Sequence, residues 1–331
     1  MSRIENLTRC IGNTPLAEIT FKHGDKTQKL FAKLEYFNLT GSVKDRMAFH
    51  ILKEAMERGE LKPGDRIAEA TSGNTGIAMC ALGAYLKHPV TIFMPDWMSK
   101  ERRDLIASFG AEIRLVSSEE GGFLGSIKMA DEMAENNENV FLPHQFDNDD
   151  NMWGQYHGLG QELISQLESL GKKVDGFVAG VGTGGVVMGV GRALREVNPE
   201  AVIHPLEPAE SPTLSTGTKV GSHRIAGISD EFIPSICKLK DLNEVITVSD
   251  GDSIIMAQKL AASGLGVGIS SGANFIGTVK MMQNLPDGAV ATTVFSDDNK
   301  KYLSSDLMKE EPIKAEYLSP DIEILDIQIH R

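Results

Sequence analysis

Cysteine is scarce in this chain of 331 residues: Cys10, Cys80 and Cys237 stand far apart and are odd in number. That excludes a disulfide framework and a paired metal-ligand spacing, so no metal is expected and a reducing cytoplasm fits best. Positive charge is short as well, with 33 Lys and Arg against 46 Asp and Glu, a net charge of -13. Binding to a phosphate backbone leaves a basic footprint, so nucleic acid is not the expected partner. No apolar run is long enough to span a bilayer, and the start Met1-Ser-Arg-Ile-Glu-Asn6 lacks the apolar core of a signal peptide, so neither membrane nor export is expected. Repeats and low-complexity segments are absent too. What is present, 41% hydrophobic and 24% charged residues, is the composition of a soluble globular protein with room for two cores, and small molecules are its expected partners.

From Asp65 onward short apolar segments alternate with amphipathic ones. Strands are predicted at Arg66–Glu69, Val90–Met94, Glu112–Val116 and Val140–Leu142. Helices are predicted at Thr75–Leu86, Ser99–Phe109, with Ser99 as N-cap, and Gly122–Asn136. This is repeated βαβ and predicts a parallel sheet covered on both faces. A helical stretch over Trp153–Leu170 leads to a second series: strand Val174–Ala179, helix Val186–Val197, strand Ala201–Glu207, helix Asp252–Ser263 capped near Asp250, and strand Ala289–Phe295. Two α/β units dividing near Asn148 follow. The stretch Glu310–Arg331 is extended, either an edge strand or a segment docked on a partner subunit.

Three segments carry chemistry. Gly180-Val-Gly-Thr-Gly-Gly185 follows a strand and opens a helix, so its N–H groups and the helix dipole suit a phosphate. It also fits GxGxxG, with Glu207 ending the next strand, which keeps a nicotinamide dehydrogenase in play on this segment alone. Thr71-Ser-Gly-Asn-Thr-Gly76 is a second strand-to-helix loop, rich in hydroxyls and suited to a carboxylate. Lys44, in Asn38-Leu-Thr-Gly-Ser-Val-Lys-Asp-Arg46, is by itself an ordinary helix start. Joined to two anion loops it becomes a candidate Schiff-base lysine, and the three together point to pyridoxal 5'-phosphate, because a nicotinamide enzyme has no use for the carboxylate loop and the lysine.

With these motifs in order, together with Gly12-Asn-Thr-Pro-Leu16, Glu207-Pro208, Ser211-Pro212, Gly227-Ile228, Phe232-Ile-Pro234, Gly268-Ile-Ser-Ser-Gly272 and Lys301-Tyr-Leu-Ser304, nearly the whole chain resembles the cysteine synthase and cystathionine beta-synthase family of fold type II pyridoxal-phosphate enzymes. The resemblance implies two three-layer αβα domains with mostly parallel sheets, as in the tryptophan synthase beta-subunit-like fold. Residues 1–43 with 149–309 would form the larger, cofactor-binding domain, residues 44–148 a smaller mobile domain that closes over substrate, and 310–331 a C-terminal extension. It further implies that Lys44 holds the cofactor and shuttles the α-proton, that Asn74 bonds its ring hydroxyl, and that Gly182, Thr183, Gly184 and Gly185 bind its phosphate. Thr71, Ser72, Thr75 and Gln145 would hold the substrate carboxylate, and a homodimer is implied.

The activity implied is β-replacement or β-elimination on a three-carbon amino acid, with cysteine formation from O-acetylserine and sulfide as the family default. Departures from the family pattern bring rivals forward. Asp298 stands where a serine facing the pyridine nitrogen is usual, and a carboxylate there would strengthen the electron sink. Asp230 and Glu231 stand where synthases carry small residues. An acid there would deprotonate a nucleophile, water included, which makes sulfide release from cysteine, with serine or pyruvate as co-product, a close alternative. Cystathionine formation is the third. Gly158-Leu159-Gly160 and Val186 replace threonines near the cofactor, and the ending in Arg331, where synthases that dock serine acetyltransferase end in isoleucine, speaks against that partner.

Overall fold

The structure, a computed structural model, describes residues 3–71 and 73–331. In chain order the strands are β1 (Leu16–His23), β2 (Lys26–Leu34), β3 (Arg66–Ala70), β4 (Val90–Pro95), β5 (Glu112–Val116), β6 (Val140–Phe141), β7 (Gly176–Gly180), β8 (Val202–Pro208), β9 (Ile246–Val248), β10 (Ala291–Phe295) and β11 (Ile322–His330). The chain divides into two units, Met1–Gly12 with Asn38–Gly154, and Asn13–Phe37 with Gln155–Arg331.

The first unit carries the sheet β5-β4-β3-β6, parallel throughout. Every residue of the inner strand β4 is buried, whereas the edge strand β5 exposes Glu112 and Arg114. Helix Asn74–Leu86 is buried on nearly all sides, with Ile77, Met79 and Leu82 in one core with Met47, Ile51, Ile67 and Ile92. Ile4, Leu7 and Ile11 complete this core. Ser99 takes the N-cap position of helix Lys100–Ser108 with extended dihedrals, but its hydroxyl makes no capping bond.

The second unit carries the sheet β11-β1-β2-β10-β7-β8-β9. Its centre, β2-β10-β7-β8-β9, is parallel, and the hairpin β1–β2 and the last strand β11 add antiparallel pairs at one side. The hairpin closes on a two-residue loop, Gly24-Asp25, in which Gly24 has φ +58°, a conformation that glycine enters without steric penalty. Helix Ile269–Met282 is the hub of the core: Phe275 packs edge to face on Phe21, with centroids 5.2 Å apart, and Ile276 and Val279 join Val178 and Leu206. Mixed α/β architecture with mostly parallel sheets therefore holds for both units.

The helical stretch predicted at Trp153–Leu170 is not continuous. Asp150–Gln155 and Gln161–Ser169 are α-helical, and Tyr156–Gly160 between them is a π-helical turn. A Cβ on Gly160 would stand 2.7 Å from the Ala193 Cβ, so glycine here lets helix Gly185–Val197 pass close by.

The C-terminal stretch resolves into an edge strand, β11, fastened by a half-buried cation. Lys259 Nζ donates to the carbonyls of Ser319 (2.5 Å), Pro320 (3.0 Å) and Ile322 (2.8 Å). Burial holds its pKa below the usual lysine value, against the pull of Asp321, Asp252 and Glu323. Replacing Lys259 with methionine leaves three carbonyls without their donor and should destabilise the fold by about 2 kcal/mol. Urea denaturation and limited proteolysis check this: the midpoint should fall and nicking should begin near residue 320, whereas an unchanged midpoint would contradict the role assigned to Lys259.

Candidate active site

In the first unit, Lys44 opens helix Lys44–Arg58. The turn before it is pinned by Asp45, which is fully buried and accepts from the Thr40 N–H (2.7 Å) and hydroxyl (2.5 Å), while Asn38 Oδ1 accepts from the Gly12 N–H (2.8 Å). The Lys44 N–H reaches Ser42 Oγ at 3.3 Å. Lys44 itself is half-buried. A cation at a helix N-terminus opposes the helix dipole.

The loop Thr71–Gly76 leaves the end of β3 and enters helix Asn74–Leu86, whose first turn contains Asn74 and Thr75. Thr71 donates its N–H to the Phe93 carbonyl (3.1 Å), and its Oγ1 accepts from the Gly73 N–H (3.1 Å), closing a tight turn. A Cβ on Gly76 would lie 2.7 Å from Thr71 Cγ2, so the turn requires glycine. Gln145 comes from a distant part of the chain: Thr75 Oγ1 donates to its Oε1 (2.6 Å), and its Nε2 donates to the Ala70 carbonyl (2.9 Å). His144, at φ +50°, bends the chain to deliver it, and Asn151 Nδ2 holds its carbonyl (2.8 Å). Thr71, Thr75 and Gln145 are thus brought together and buried; Ser72 lies outside the described residues.

Behind this loop sits a residue that sequence reasoning missed. Glu69 is buried with one oxygen accepting from the Ala70 N–H (3.0 Å) and, more distantly, Gln145 Nε2 (3.4 Å), and the other making no bond among the described residues. Burial pushes its carboxyl up to about 8, only partly offset by these bonds, with Asp131 adding to the rise. The folded state therefore holds a proton that the unfolded chain releases above its ordinary value near 4.5. The associated stability is full below that value and is lost as pH rises toward 8. Glu69→Gln cannot ionise. Thermal melts from pH 5 to 8 should show the variant gaining on the parent by roughly 2 kcal/mol or more as pH rises. Parallel curves would show that Glu69 is not the proton holder.

In the second unit, β7 ends at Gly180 and the 13-residue helix Gly185–Val197 begins directly after Val181–Gly184. Asn274 Oδ1 accepts from the Gly180 N–H at 2.8 Å. Gly184 has φ +87°, and a Cβ there would stand 2.8 Å from the Cys237 Cβ; one on Gly182 would lie 2.4 Å from the Gly227 carbonyl. Thr183 Oγ1 accepts from the Gly185 N–H at 3.4 Å. A glycine cradle at the start of a long helix fits a phosphate group. Glu207 is otherwise engaged: fully buried, it accepts from the Leu214 N–H (2.6 Å) and from the Ser215 hydroxyl, so it has no capacity to grip a ribose and the dehydrogenase alternative loses its acid.

Asp298 caps the following turn, accepting from the Lys300 N–H at 3.2 Å, with Lys300 Nζ 3.5 Å from its other oxygen. The more deeply buried carboxylate is its neighbour Asp297, whose Oδ2 accepts from Tyr302 OH at 2.6 Å and whose Oδ1 lies where a Cβ on Gly268 would come within 2.2 Å. The pair Asp297-Asp298 read as a capping run, and only burial separates the two. Asp230 and Glu231 are half-buried on one turn. Lys219 Nζ lies 3.3 Å from Glu231, and the Asp230 carbonyl accepts from Thr213 Oγ1 (3.2 Å).

Residues 7–297 match the family model of pyridoxal-phosphate dependent enzymes. The chain is 40% identical over 305 residues to the probable cysteine synthase of Bacillus subtilis (strain 168), covering 92% of this chain and 97% of that one. Among solved structures, a hydrogen sulfide-producing enzyme from Fusobacterium nucleatum is 56% identical with a TM-score of 0.97, covering 99% of this chain and 98% of that one. A cysteine synthase from Entamoeba histolytica is 37% identical with a TM-score of 0.84, covering 96% and 94%. By the match over residues 7–297 and by these relatives, the chain belongs to the pyridoxal-phosphate dependent enzymes, in the cysteine synthase family.

Proposed function

We propose that this enzyme of cysteine metabolism releases hydrogen sulfide from cysteine and puts the oxygen of water on the β-carbon, so that cysteine and water become serine and hydrogen sulfide. One C–S bond breaks, one C–O bond forms, the proton of water ends on sulfur, and nothing is oxidised. The observation that carries this reading is the acidic turn at Asp230 and Glu231. It adjoins the glycine cradle, since Ser229 N–H donates to the Val181 carbonyl at 2.8 Å and the Gly227 carbonyl fills the space beside Gly182. The 56% identity to a hydrogen sulfide-producing enzyme supports it, as does a related structure, 55% identical, of an aspartate-to-asparagine variant of that enzyme in complex with an alpha-aminoacrylate intermediate.

Bound pyridoxal phosphate supplies an electron sink for charge at the α-carbon. In our reading the rest falls to the chain. Gly182, Thr183, Gly184 and Gly185 hold the phosphate, Asn74 the ring hydroxyl, and Lys44 the cofactor itself and then the α-proton. Thr71, Ser72, Thr75 and Gln145 fix the substrate carboxylate. Asp297, rather than the capping Asp298, is the carboxylate assigned to the ring nitrogen. Asp230 takes the proton from water; Glu231, drawn to Lys219, sets the local charge. Homodimeric assembly in the cytoplasm belongs to the same proposal. No described helix is long and apolar enough to cross a membrane.

Cysteine formation from O-acetylserine and sulfide is the second reading, favoured by the 40% identity to a probable cysteine synthase. Product analysis separates them: with cysteine alone the enzyme should yield serine and sulfide in equal amounts without pyruvate, at a kcat/KM above that for O-acetylserine plus sulfide. The reverse order would establish the synthase.

A further inference from the structure

The turn that bears Asp230 has a backbone conformation that its sequence does not favour. Ser229 has φ +53°, in the left-handed region that L-residues other than Asn and Asp rarely occupy. Such a conformation persists only where the surroundings over-determine it. Here Ser229 is buried and held from four directions. Its N–H donates to the Val181 carbonyl (2.8 Å), and its Oγ donates to the Ser211 carbonyl (2.7 Å) and lies 3.0 Å from Thr213 Oγ1. Its own carbonyl meets His223 Nε2 at 3.1 Å. Thr213 Oγ1 in turn reaches the Asp230 carbonyl, so the residue after the strained one is fixed as well.

The His223 contact defines a tautomer. A carbonyl oxygen only accepts, so Nε2 carries the hydrogen and donates it. Nδ1 is buried and makes no bond among the described residues. Among the described residues the hydrogen bond of the His223 ring is therefore the one to the Ser229 carbonyl, and it holds the peptide that leads directly into Asp230. A base that must reach the proton of a water molecule works over a narrow range of positions, and misplacement by about 1 Å costs roughly 10²-fold in rate.

We propose that His223 and Ser229 form a latch that positions the Asp230 carboxylate for water attack on the β-carbon, and so decide whether the β-carbon receives water. Both are positioning residues, acting through the backbone. The latch rests on the assignment of Asp230 made above. Relaxing Ser229 to a negative φ would redirect the Cα–Cβ bond of Asp230, and the reaction would then lose serine and leak pyruvate, because the substrate that has lost sulfide is released and hydrolysed.

The test uses the holoenzyme with cysteine as substrate and compares His223→Leu, His223→Gln, Ser229→Ala and Asp230→Ala with the parent, measuring serine, pyruvate, sulfide and KM. His223→Leu and Ser229→Ala should lower kcat for serine about tenfold or more, raise the pyruvate-to-serine ratio, and leave KM for cysteine within about twofold. His223→Gln, whose amide still donates to the Ser229 carbonyl, should recover to within about threefold of the parent. A merely structural role would move KM and the melting temperature together and give no rescue by glutamine. Unchanged serine formation in His223→Leu and Ser229→Ala, alongside its loss in Asp230→Ala, would overturn the latch and leave the Asp230 assignment standing. Full serine formation in Asp230→Ala, or none in the parent, would overturn both.

Discussion

Replacing Lys44 with alanine should reduce turnover of cysteine by roughly 10³-fold or more while the protein stays folded. Lys44 is half-buried at the first position of its helix, and the bonds that hold that turn come from Asp45, Thr40 and Asn38. Alanine is the best helix former, and removing a cation from the positive end of a helix is neutral or favourable for the helix itself, so the helix should persist in the variant. Loss of the visible absorbance of a lysine-bound cofactor should accompany the loss of rate. A variant that kept both rate and spectrum would remove Lys44 from the chemistry, and one that merely melted earlier would make it structural.

The second large effect is expected at Asp230. Asp230→Asn preserves size and hydrogen-bonding shape but removes the proposed base, and general-base contributions run to about 10²–10⁴-fold, so serine formation should fall by about 10²-fold or more. In the proposed reaction sulfide leaves before water arrives. Rapid mixing with cysteine should therefore still show a burst of about one sulfide per active site, followed by a stall. KM for cysteine should move little, because the carboxylate of the substrate is assigned to Thr71, Thr75 and Gln145, not to this turn. Glu231→Gln should be much milder, since its charge is shared with Lys219 at 3.3 Å. Equal effects at the two positions would mean that the turn acts only through its total charge.

The parallel sheet of the first unit was legible in the sequence because β4 is a short apolar run, β3 and β5 are short mixed segments, and helices of ordinary length separate them. The hairpin β1–β2 also has its signal in the sequence, alternation around Gly24-Asp25. Helix Ile269–Met282 was harder: buried from Ile269 to Val279, it has no polar face and hence no helical period to detect. The glycine cradle and the Thr71–Gly76 loop were visible because their chemistry lies in consecutive residues. Gln145 has no such local signature and was placed only by resemblance. Glu69 and Asp297 were missed because burial gives them their character, and no pattern of neighbours in sequence distinguishes Asp297 from Asp298. The φ of Ser229 belongs to the same class, set by Val181, Ser211, Thr213 and His223, which lie between 6 and 48 residues away along the chain.

The most direct measurement is turnover of cysteine in water enriched in oxygen-18, with mass analysis of the amino-acid product. Water addition predicts serine carrying one heavy oxygen in its side chain, released in step with sulfide and free of pyruvate. Unreacted cysteine in that experiment, together with efficient cysteine formation from O-acetylserine and sulfide, would contradict it.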